Sequence, residues 1–148
     1  MTANWIHVAV VHLAVIGAPW LLYRVLAHGR TALDSAAWKT TYTGSIIIGI
    51  VAAIGYFTGP HAADWAQLVV DGYSQDHVED HALWGRIAFV VQGIVALIGV
   101  MGWASILQGE APDRRLPPIL IVLLSINTLV MIYTAHLGGL VRRMDLMP

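Results

Sequence analysis

No cysteine occurs anywhere in the chain, which excludes disulfides, iron–sulfur clusters, thiolate zinc and covalent c-type haem attachment together. Any metal or cofactor is left to histidine, methionine, carboxylate or backbone ligands. Charge is the second scarcity. Only 11% of the 148 residues are Asp, Glu, Lys or Arg, where a soluble domain carries about 25%, so charge is too sparse to cover a water-facing surface. The formal net charge of −1 offers no basic patch, so nucleic acid is not an expected partner. Lys and Arg are missing altogether from Gly59 to Val78. Internal repeats, low-complexity tracts and short strand patterns of period two are absent as well.

What the chain has is apolar length: 57% hydrophobic residues and a mean hydropathy of +0.69. Four apolar runs stand out, from about Trp5 to Tyr23, Thr43 to Phe57, Ala82 to Leu107 and Leu116 to Val141. A bilayer crossing takes roughly 20 mostly apolar residues, and the second run reaches that if it begins near Ala37. Backbone groups in lipid must pair within their own segment, so these runs predict helices. The expected fold is all-α: an integral membrane four-helix up-down-up-down bundle, one domain over residues 1–148, with the lipid bilayer as its solvent. The first run does not read as a cleavable signal, because Met1 to Asn4 holds no basic residue and no small-residue cleavage site follows. Pro19 predicts a kink or loosened last turns in the first helix, whereas Pro117–Pro118 suits the first turn of the fourth. Ser45, Gly49 and Ala53 on the second run and Gly93, Gly99 and Gly102 on the third predict close helix contacts.

The connections set an expected orientation. Arg24, Arg30 and Lys39 flank the first connection and Arg114 and Arg115 the third, whereas the second carries Asp64, Asp71 and Asp76, followed by Glu79 and Asp80. The positive-inside bias places both termini and the acidic connection outside the cytoplasm, in a bacterial inner membrane. Arg142 and Arg143 pull the other way. Within the acidic connection, Trp65, Leu68 and Val69 form a helical stripe that suggests a segment, Ala62 to Val70, lying along the membrane interface.

On that topology every histidine except His28 falls on one side. His7 and His12 lie early in the first helix, and His61 follows the second. His77 and His81 flank the start of the third, and His136 nears the end of the fourth. At 1.5 Å rise per residue His12 lies about 7 Å deeper than His7, and about 140° around the helix from it. His136 matches the depth of His12, so these two are the expected principal pair, with His81 and His7 in a shallower layer. Arg86, a little over one turn inside the third run, calls for a carboxylate, an anionic cofactor group or a route to the interface.

Several short motifs resemble one family. His7-Val-Ala-Val-Val-His12-Leu is similar to the His-Pro-x-x-Val-His-Phe-Pro opening of the small four-helix membrane proteins catalogued as domain of unknown function 2231, without that family's prolines. Tyr56-Phe57-Thr58-Gly59, Val78-Glu79-Asp80-His81 and Tyr133-Thr134-Ala135-His136-Leu137-Gly138-Gly139 continue the resemblance across nearly the whole chain. The resemblance implies the four-helix fold and, in some relatives, a haem- or metal-binding role, with no settled activity.

Three functions fit these residues. In the first, the chain is a b-type cytochrome-like electron-transfer protein or subunit rather than a stand-alone enzyme. Its haem b is held by imidazoles of His12 and His136, with His81 and His7 as further ligands and Arg86 on a propionate. Electrons would then pass to or from a quinol or an extracytoplasmic carrier. In the second, copper or zinc binds directly, through the same histidines or through His61, His77 and His81 with Asp80 or Glu79; a catalytic zinc motif such as H-E-x-x-H is absent. In the third, the chain is a cofactor-free accessory subunit packed among other membrane subunits, its histidines hydrogen-bonded between helices.

Overall fold

The computed structural model describes residues 2–142, and the side chains of residues 4–141. It contains four helices, α1 Thr2–His28, α2 Ala36–Val69, α3 Gln75–Leu107 and α4 Leu116–Arg142, and no strand among the described residues. Each is long and apolar enough to cross a membrane. Arg143 and the side chain of Arg142, which bear on orientation, lie outside the described residues.

Local chemistry explains where the helices begin and end. Ser35 caps α2 by accepting from the Trp38 amide, an N-cap role suited to its short hydroxyl. The turn after α2 passes through Gly72 at φ 74°, and α3 closes on Gly109 at φ 76°, conformations that a Cβ disfavours. Before α4, Asp113 Oδ1 accepts from the Arg115 amide at 2.8 Å. Pro117 and Pro118 then fall in the first turn of α4, where missing amide hydrogens cost nothing.

α1 continues through Pro19 to His28, with Ala14 and Ala18 buried before the proline and Leu21 and Val25 after it. One expectation is corrected. The segment Ala62–Val70 is not a separate interfacial helix: α2 runs unbroken through Pro60 to Val69. At about 1.5 Å per residue, α2 and α3 are roughly 50 Å long against about 40 Å for α1 and α4. The hydrocarbon core is about 30 Å thick, so the longer pair has turns to spare.

Every helix packs on its neighbours in sequence, and α1 closes against α4. Gly17 of α1 meets Ile48 of α2, Gly44 meets Trp20, and Gly55 meets Val10 and Val11. Between α2 and α3, a Cβ on Gly49 would stand 2.5 Å from Ala96 Cβ, and one on Gly99 2.7 Å from the Tyr42 carbonyl oxygen. Those glycines let the two backbones approach. Gly93 has nothing within 4 Å and takes no part in the contact. The core has two halves. Leu21, Trp38, Tyr42, Leu120 and Leu124 fill the arginine-bearing end, and Ala14, Ala18, Ala52, Ala88, Val130 and Met131 the other. Asn127 Nδ2 donates to Gln92 Oε1 at 2.8 Å in the interior.

Candidate functional site

Two histidines meet where α1, α2, α3 and α4 come together beyond the alanine-rich half of the core. His7 of α1 and His81 of α3 are both half-buried. Their ring centroids are 6.5 Å apart and their planes cross at 83°. Each ring is fixed by a carbonyl of a different helix. His7 Nδ1 donates to Gly55 O of α2 at 2.8 Å, and His81 Nδ1 donates to Thr134 O of α4 at 3.0 Å. A carbonyl oxygen only accepts, so both Nδ1 atoms carry hydrogen, and in the neutral ring Nε2 carries the lone pair. This is the arrangement by which a backbone carbonyl fixes the tautomer of a metal-ligating histidine.

Glycines surround both rings. A Cβ on Gly59 would stand 3.6 Å from His7 Cε1, and one on Gly138 only 2.9 Å from His81 Cε1. The four segments carrying the short motifs of the sequence therefore converge here, through His7, Gly59, His81 and the Thr134–Gly138 turn of α4. Trp84 and Tyr133 meet edge to face at 4.9 Å one turn away.

The other expected residues stand elsewhere. His12 is exposed on the outer surface of the bundle, with Nδ1 turned to the Val8 carbonyl of its own helix. His136 and Arg86 are also exposed, so the structure brings His7 and His81 together but does not gather His12, His136 and Arg86 around them. His61 is exposed and His77 half-buried. Glu79 Oε1 accepts from Gln75 Nε2 at 2.9 Å. Among the described residues no three His, Asp or Glu side chains come close enough together to hold a metal ion.

The donor set limits which group these residues would suit. A catalytic zinc takes three protein ligands and a structural one four, and two imidazoles fall short of both. Haem supplies four nitrogens of its own, so one or two axial histidines complete it. His7 and His81 are the two imidazoles that would hold such a group. With no cysteine in the chain, any haem here is held non-covalently. What the sequence did not mark were the carbonyls of Gly55 and Thr134. One available signal was Gly138, which stands beside His81. No family model matches this chain, and neither a curated protein nor a solved structure matches it.

Proposed function

We propose that this chain is an integral membrane electron-transfer protein of the b-type cytochrome kind, in which His7 and His81 would hold a haem. The observation that carries the reading is the pair itself: two half-buried imidazoles from different helices, each with Nδ1 committed to a carbonyl and Nε2 left to ligate. When bound, the haem supplies one-electron redox chemistry. The chain's own residues fix the tautomer and orientation of both imidazoles through the carbonyls of Gly55 and Thr134.

The reading includes an up-down-up-down bundle in a bacterial inner membrane, with the histidine-bearing end outside the cytoplasm. The pairings Gly17–Ile48, Gly44–Trp20 and Gly59–His7, in which residue number falls on one helix as it rises on the other, support the topology. The arginines at the far end support the orientation. The extended ends of α2 and α3 carry Asp64, Asp76, Glu79 and Asp80 without Lys or Arg, which suits a redox partner with a basic face.

A second reading, an accessory subunit of a larger membrane complex, is favoured by one observation. His12, Arg86 and His136 are exposed on helices apolar enough to span a bilayer, and polar groups at such depth call for a partner.

Reduced-minus-oxidised visible spectra of protein purified in mild detergent from haem-replete cells test the first reading. Wild type should show a Soret band, and His7→Asn and His81→Asn should lose it or shift it to a one-histidine form. His12→Ala, His136→Ala and His28→Ala should keep it. Wild type without a Soret band overturns the haem assignment; loss confined to His12→Ala and His136→Ala moves the site to the outer face.

A further inference from the structure

At the end of the bundle opposite the histidines, the α1–α2 and α3–α4 connections face each other across a cleft of about 480 Å3. Leu33, Pro112 and Pro117 give it an apolar floor, the two prolines being buried. Arg30 lines it from one connection and Arg114 from the other. Arg24, at the same end, is already engaged: its Nη2 donates to Ala37 O at 2.6 Å and its guanidinium lies over the Trp20 ring. Arg30 and Arg114 have no such partner among the described residues. Asp34 also lines the cleft, without an ion pair to either arginine among the described residues, so two guanidiniums face one carboxylate.

We propose that this cleft binds a phosphate group, and that the phosphate is the headgroup of an anionic phospholipid. Guanidinium forks match phosphate oxygens in pairs, and two forks on facing connections hold one anion between them. A free phosphate has no use for an apolar floor. A glycerophospholipid has, because its glycerol and first methylenes continue from the phosphate toward the bilayer. The depth agrees: α4 begins its apolar span at Leu116, beside Pro117 of the cleft floor. Basic pockets at the ends of membrane helices are recognised sites for anionic headgroups.

Native mass spectrometry of the full chain in mild detergent provides the test, with phosphatidylglycerol and phosphatidylcholine of identical acyl chains as separate probes. Phosphatidylglycerol should be retained at least tenfold more tightly. The R30Q/R114Q variant should bring it to the phosphatidylcholine level with the thermal unfolding midpoint unchanged, and R115Q, which removes a neighbouring charge outside the cleft, should leave retention intact. Displacement of phosphatidylglycerol by millimolar inorganic phosphate supports recognition of the phosphate itself. Binding of inorganic phosphate without phosphatidylglycerol overturns the lipid source. Equal retention of the two lipids, or equal losses in R115Q and R30Q/R114Q, overturns the site.

Discussion

Replacing Gly138 by alanine perturbs the histidine pair without touching either histidine. The new Cβ would stand 2.9 Å from His81 Cε1, 3.3 Å from Nδ1 and 3.6 Å from Nε2. Carbon atoms settle at about 3.5–4.0 Å, so the ring must retreat by roughly 0.6 Å or more. Gly138 lies one turn beyond Thr134 on α4, so retreat from one carries the ring away from the other. The 3.0 Å bond to Thr134 O lengthens, toward separations of about 3.6 Å that no longer count as a hydrogen bond. Overpacking of this kind costs about 1–3 kcal/mol, and the weakened bond about 1 kcal/mol more at most. The neighbouring glycine is the control. Gly139 has nothing within 4 Å, and Gly139→Ala brings the same gain in helix propensity, about 0.8–1.0 kcal/mol. The difference between the two variants therefore isolates the contact with His81, at about 1–4 kcal/mol with the weakened bond included. Thermal unfolding in one detergent measures it, and the visible spectrum reports whether the displaced ring still serves as a ligand. Equal midpoints for Gly138→Ala and Gly139→Ala would refute the reasoning, since only one of them meets a ring.

Other expectations concern the buried polar groups. Gln92 and Asn127 are both fully buried, and each single replacement by leucine strands the partner amide, a loss of about 1–3 kcal/mol; the double replacement should cost less than the sum, and additivity within about 0.5 kcal/mol in unfolding midpoints would contradict the pairing. Tyr42 is fully buried with its hydroxyl unpartnered, so Tyr42→Phe should leave the midpoint unchanged or raise it, by up to about 1 kcal/mol. A large loss on that substitution would reveal a partner for the hydroxyl.

Helix number was legible because hydropathy acts over long windows, and so were the end of α3 at Leu107 and the start of α4 at Leu116; the other ends run beyond their apolar runs, α2 most of all, from Ala36 to Val69. The far end of α2 was not legible, because hydropathy falls after Phe57 although the helix continues to Val69. The gathering of histidines at one end was also legible, since it depends on count along the chain. Rotation about each helix axis was not. Depth favours His12 and His136, but depth says nothing about which face a side chain takes, and both are exposed. Helices apolar nearly all round leave the inward face to be chosen by small residues and directional bonds. Gly49 and Gly99 announced part of that choice. The carbonyls of Gly55 and Thr134 could not, because every residue carries one.

Those carbonyl bonds change what counts as evidence about the histidines. In lipid, apolar burial does not discriminate one helix partner from another, so directional bonds between helices carry much of the specificity. Arg24 to Ala37 O and Trp38 Nε1 to His28 O tie α1 to α2 at one end, and His7 to Gly55 O ties them at the other. His81 to Thr134 O and Asn127 to Gln92 do the same for α3 and α4. A structural role for His7 and His81 is therefore compatible with ligation and does not require it. The bond that pins each helix also places the proton on Nδ1 and leaves Nε2 to accept. Destabilisation of His7→Ala or His81→Ala follows from either role and separates nothing. Asparagine keeps an amide donor near the Nδ1 position and removes Nε2. An asparagine variant that keeps the bundle's unfolding midpoint and still loses the Soret band assigns ligation to the atom itself.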